Sequence, residues 1–94
     1  MKAELHNFQH WVDYYESNQL KTTLQKALEQ ADFELLGFME HHFSPQGYTC
    51  IWLLGESHLA LHTFPEESKS YIELTSCSLE KAELFKNEIT SKLG

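Results

Sequence analysis

The stretch YTCIWLLGESHLALHTFPEE, residues 48–67, decides how this chain is built. Residues 48–54 and 57–64 are rich in β-branched, aromatic and leucine side chains, and only Gly55-Glu56 parts them. Two such runs in close succession read as adjacent strands joined by a tight reversal. Pro65 has no N–H to give a ladder, so the second strand stops there. The first run is nearly all apolar and is expected at the centre of a sheet. The second spends Ser57, His58, His62 and Thr63 on polar or ionisable groups and follows directly on Glu56. A strand made only for a core rarely carries so many.

Outward from this pair the chain alternates elements with short breaks. Residues 5–15, LHNFQHWVDYY, read as a first strand. Ser17 or Asn18 is placed to cap a helix whose Leu20, Leu24, Ala27, Leu28 and Ala31 form one apolar stripe. Residues 33–43 read as a strand and Ser44-Pro45-Gln46-Gly47 as a turn. Residues 70–76 make the last strand. Ser78 caps a second helix with a stripe of Leu79, Ala82, Phe85, Ile89 and Leu93. The order β-α-β-β-β-β-α predicts an α+β, two-layer sandwich with two helices on one face of an antiparallel sheet. The other face then needs solvent, a ligand or a second copy.

Bulk properties narrow the function. Ninety-four residues make one domain, and a chain this short is helped by dimerisation. A net charge of −7 argues against nucleic acid and anionic membranes as partners. No apolar run is long enough to span a bilayer, and the N-terminus lacks the pattern of an export signal. Cys50 and Cys77 show no C-x-x-C spacing, so reduced thiols in the cytoplasm are expected.

Several residues stand out, each with a plainer reading. His58 and His62 are four apart, which on a strand separates them by about 13 Å, too far to share an ion. His41 and His42 alternate across a strand and face opposite ways. No metal is therefore expected. Ser57 follows Gly55-Glu56, but a hydrolase elbow wants a second glycine and a following helix. Ser57 reads either as a nucleophile of another kind or as a turn serine. Cys77, between a strand and a helix, is either a thiol with a depressed pKa or a small space-filler. Cys50 is better explained as filler. Phe43 and Phe64 suit a planar ligand or a core edge.

Glu56-Ser57-His58-Leu59, then His62-Thr63-Phe64-Pro65-Glu66, then Cys77, resembles the bacterial and archaeal S-adenosylmethionine decarboxylase family. His41-His42-Phe43-Ser44-Pro45-Gln46-Gly47 resembles that family's preceding strand and turn, and the likeness covers residues 34–77. The resemblance implies an enzyme that cuts its own chain at Glu56-Ser57 into 1–56 and 57–94. Ser57 would become a covalent pyruvoyl group, whose ketone takes the substrate amine as a Schiff base. By resemblance His62 removes the Ser57 α-proton during processing and Thr49 supplies an assisting hydroxyl where the family carries serine. Cys77 resembles the general acid, Phe43 the adenine-stacking ring, and Glu66 the ribose-binding carboxylate. The implied product, decarboxylated S-adenosylmethionine, feeds polyamine synthesis, and the implied assembly is a homodimer with sites at its interface.

The sequence departs from the family at Glu67-Ser68-Lys69-Ser70, where a Tyr- and Gly-rich stretch is usual. Thr-Cys-Gly is here Ser76-Cys77-Ser78. The N-terminal family segment is faintly echoed by residues 10–15, and the family's further C-terminal strand is not seen. Two other readings therefore stand beside the first. One is a decarboxylase retuned to arginine or ornithine, with Glu66, Glu67 and Glu73 drawing a cation. The other is a non-processing binding or regulatory protein.

Overall fold

The computed structural model describes residues 3–94. Its elements are β1 (His6–Val12), α1 (Ser17–Gln30), β2 (Leu35–His42), β3 (Tyr48–Leu54), β4 (Ser57–Phe64), β5 (Lys69–Ser76) and α2 (Leu79–Leu93). A short 3-10 turn, Pro65–Glu67, joins β4 to β5. The five strands form one antiparallel sheet in the order β1-β5-β4-β3-β2. The α+β sandwich expected from the sequence is the observed architecture.

Every strand from β3 to β5 alternates between buried and more open residues. Cys50, Trp52, Leu54, Leu59, Leu61, Ile72 and Leu74 point to one face. There they join Leu20, Leu24 and Leu28 of α1 and Phe85 and Ile89 of α2 in a single core. Trp52 Nε1 donates to Gln25 Oε1 at 3.3 Å, which ties α1 over β3. Among the described residues no helix lies on the other face of the sheet.

Several boundaries and placements differ from expectation. The cap of α1 is Glu16, one residue before Ser17: its carboxylate accepts from the Asn18 and Gln19 amides at 2.9 Å each. A carboxylate suits the positive end of a helix as well as a hydroxyl does. β1 ends at Val12 because the next residues turn away, with Tyr14 O accepting from Ser70 Oγ at 2.7 Å. β2 starts at Leu35, not at 33. Asp32 takes a left-handed conformation (φ 65°), and Phe33 N–H reaches back to Leu28 O to finish the helix. β5 begins one residue early, at Lys69. Leu79 lies in the first turn of α2 and is exposed, so it drops out of the buried stripe.

β3 is also not the centre of the sheet; β4 is. β3 reads as all-apolar for another reason. Its outward residues Ile51 (41% exposed) and Leu53 (56%) lie beside Met39 (71%) on the uncovered face. That apolar patch, not central burial, accounts for the run.

Candidate functional site

The predicted residues fall at two ends of the sheet. At the first end, Ser57 opens β4 with its side chain turned to the helix layer, 7% exposed. The Cys77 amide, just past β5, donates to Ser57 Oγ at 3.3 Å. Accepting this bond leaves the hydroxyl proton free to depart and favours negative charge growing on Oγ. Cys77 Sγ lies 3.8 Å from Glu56 Oε2. Cys77 is exposed and unpaired with any other cysteine. Ser78 turns the chain into α2, its hydroxyl accepting from the Lys81 amide at 3.2 Å.

Glu56, Ser57 and Cys77 thus line one cavity of about 280 Å³. Phe33, Glu34, Gly55, Ser78 and Lys81 complete it. Lys81 Nζ stands 5.8 Å from the Phe33 ring, so the cavity holds one ammonium among carboxylates. Sequence reasoning missed Phe33, Glu34 and Lys81. Phe33 read as strand, and nothing local links Lys81 to residue 56.

At the other end, on the uncovered face, Thr49 Oγ1 and His62 Nδ1 are hydrogen-bonded at 3.0 Å. They are cross-strand partners, and the same row continues to His41 on β2, Tyr71 on β5 and Trp11 on β1. The His62 ring stacks on Tyr71 (6.4 Å between centroids, 24°), and Tyr71 packs on Trp11 (5.0 Å). Burial, and secondarily the charge of Glu73, raise the Tyr71 pKa, so its ring stays a neutral phenol. Phe43 follows β2 at this end, half exposed, with its ring edge against His41 at 4.5 Å. Its amide donates to Gly47 O at 2.9 Å, which closes the turn. Glu66 lies exposed in the 3-10 turn beyond β4. The departing segment 67–70 is the tight join into β5, with Ser68 left-handed (φ 55°) and Lys69 Nζ 5.8 Å from the Trp11 ring.

The two groups do not meet within one chain. Ser57 and His62 are five residues apart on one strand, roughly 17 Å by the rise of a β-strand, and face opposite sides of the sheet. An odd spacing on a strand cannot put two side chains on one face, so the His62 ring does not reach the Ser57 side chain of its own chain. His41 and His42 do face opposite ways, His41 beside Thr49 and His42 beside Tyr48.

Comparison with known proteins adds three findings. A family model described as S-adenosylmethionine decarboxylase matches residues 6–94. The S-adenosylmethionine decarboxylase proenzyme of Prochlorococcus marinus (strain MIT 9313) is 36% identical over 78 residues, 78% of this chain and 62% of the relative. That of Synechococcus sp. (strain WH7803) is 40% identical over 58 residues, 62% of this chain and 45% of the relative. The chain spans about half the length of the curated relatives it matches. The crystal structure of the adenosylmethionine decarboxylase from Aquifex aeolicus VF5 superposes with a TM-score of 0.82 at 20% identity, covering 99% of this chain and 82% of that one. At that identity the likeness speaks for the fold.

Proposed function

The chain belongs to the S-adenosylmethionine decarboxylase family, and from that premise we propose that it is a self-processing decarboxylase of S-adenosylmethionine. The observation that carries the reading is the shared cavity of Glu56, Ser57 and Cys77, with the Cys77 amide on Ser57 Oγ. Cleavage between Glu56 and Ser57 leaves fragments 1–56 and 57–94, held by the pairing of β3 with β4. Ser57 then yields a pyruvoyl group at the start of β4. Its position fits that group, since the side chain is enclosed yet lines an open cavity next to a thiol. Once formed, a pyruvoyl group supplies the electron sink that decarboxylation requires.

The other roles fall to residues already present. The Cys77 thiol lies where it can return a proton to the product carbon. Thr49 steers His62: in the tautomer whose Nδ1–H donates to Thr49 Oγ1, Nε2 carries the lone pair that can act as the base. Phe43 offers a ring for adenine and Glu66 a carboxylate for ribose hydroxyls.

A second copy reconciles the two ends. The cavity of about 280 Å³ falls just under the ~300–1,000 Å³ usual for ligand sites, so one chain supplies part of a site. The uncovered face, with Met39, Ile51 and Leu53, suits an isologous contact. A two-fold axis across the strands would lay the start of β4 in one sheet over the His62 end of the other, so that His62 would approach the Ser57 backbone, where the α-proton is held, while the hydroxyl stays on the helix side. The reading thus takes a small-molecule substrate, a homodimer, and a cytoplasm in which Cys77 remains a thiol. Among the described residues no helix is long and apolar enough to cross a membrane.

Denaturing mass spectrometry is expected to find the two fragments, and Ser57→Ala to leave the chain whole and inactive. A wild-type chain that stays intact under all conditions would instead support the binding-protein reading. Carbon dioxide release is expected from S-adenosylmethionine. Release from arginine or ornithine alone would move the assignment to a retuned decarboxylase, with Glu66 and Glu67 at the exposed turn as the acidic groups.

A further inference from the structure

The Glu56–Ser57 bond sits in a turn built against the preferences of its own residues. Leu54 pairs with Ser57, so Gly55 and Glu56 are the whole of a two-residue loop. Such loops favour left-handed residues, and glycine takes those places because a Cβ is penalised there. Here the positions are exchanged. Gly55, the residue free to be left-handed, is not among the positive-φ glycines, whereas Glu56 carries φ 54°.

Three contacts hold this arrangement. Gly55 N–H donates to Glu34 O at 3.2 Å on one side of Glu56. On the other, Ser57 Oγ is held by the Cys77 amide at 3.3 Å. The Glu56 carboxylate lies 3.8 Å from Cys77 Sγ. A strained backbone persists where its surroundings over-determine it, and this one is tied at both neighbours and at its own side chain.

We propose that the left-handed Glu56 is a positioning residue that loads the bond to be cut, and that release of this load speeds the first step of processing. The proposal rests on the self-processing reading above. In that step the Ser57 Oγ–Glu56 carbonyl carbon bond forms and the Glu56 C–Ser57 N bond breaks. The hydroxyl proton ends on the freed Ser57 nitrogen, and no co-reactant is needed. The new ester path, C–O–Cβ–Cα, is one bond longer than the amide path C–N–Cα. The two-residue loop loosens, and Glu56 relaxes out of the left-handed region as the transition is crossed.

Glu56→Ala and Glu56→Gly test this, since both lack the carboxylate and differ only in the Cβ that makes φ 54° costly. Cleavage is followed by mass spectrometry during cell-free synthesis of the full chain. The alanine variant is expected to cleave about fivefold faster than the glycine variant, with Glu56→Asn between them, because asparagine tolerates the left-handed region. Equal rates, or a faster glycine variant, would overturn the proposal. A second reading does not depend on cleavage. In a Ser57→Ala background, Glu56→Gly is expected to melt at or above Glu56→Ala. A lower melting temperature for glycine, as at an ordinary position, would sink the idea. If the wild-type chain never cleaves, this proposal and the function both fall; if it cleaves and the alanine and glycine variants match, only this one does.

Discussion

Cys50 and Cys77 carry the same thiol in opposite settings, and the contrast bears on function. Cys50 is 1% exposed on the helix face of β3, and burial pushes its pKa up to about 11. Cys77 is exposed beside Glu56 and Ser57. Brief treatment of the native protein with iodoacetamide is expected to label Cys77 and spare Cys50; peptide mapping that finds both labelled equally would contradict this burial. The motif around Cys77 was legible in the sequence because it is local in kind: Ser57, His62 and Cys77 stand at recognisable spacings. The cavity partners Glu34 and Lys81 were not, because they reach the site through the α1–β2 connection and the first turn of α2.

At the scale of elements, β2 and α1 are fastened by a polar contact at the sheet edge. The Tyr48 hydroxyl donates to Glu40 Oε1, and Lys21 Nζ lies 3.3 Å from the same oxygen. The Tyr48 bond holds the Glu40 carboxyl below its ordinary 4.5; burial opposes this, and Lys21 adds to it. A carboxyl with a lowered folded pKa contributes stability that is present above its ordinary value and lost as pH falls through the folded one. The melting temperature is therefore expected to fall on acidification below about pH 4.5, and Glu40→Gln to flatten that acid limb. An unchanged acid limb in the variant would remove Glu40 as its cause. Under the sheet, Leu24 of α1 is fully buried in the shared core. Leu24→Ala is expected to cost about 2–5 kcal/mol in urea unfolding, since the core around it only partly closes over the lost volume. The apolar stripes of both helices were readable from their spacing. The cap at Glu16 was not, because any of several polar residues near a helix start can serve.

For the whole molecule, the decisive feature is the uncovered sheet face. Ile51 and Leu53 are large, apolar and open there, beside Met39. If two copies pack through this face, Ile51→Glu is expected to convert a dimer into a monomer in sedimentation velocity and to stop cleavage. A monomeric wild type would remove the two-copy arrangement. Division of the site between copies, if the proposed dimer forms, makes a sharper prediction. A Ser57→Ala chain keeps His62, and a His62→Ala chain keeps Ser57. Mixed as unprocessed chains, they are expected to yield cleavage of the His62→Ala chain, which alone stays whole. No cleavage in the mixture would return His62 to a role in its own chain, against its distance and its face.

By itself the sequence determined the class of fold and singled out Ser57, His62 and Cys77 as candidates. Both are written locally: strand-like runs parted by turn residues, stripes at helical spacing in α1 and α2, and the polar and ionisable residues set into the segment from Glu56 to Glu66. Only the tertiary structure decided the order of the strands, with β4 rather than β3 in the middle, and the separation of Ser57 from His62. Strand order depends on pairings such as His6 with Ser76, which lie far apart in the chain and leave no local mark. The separation follows from the alternation of a β-strand. Five residues on, a side chain has crossed to the other face, and what looks like one motif in the sequence becomes two separate groups in space.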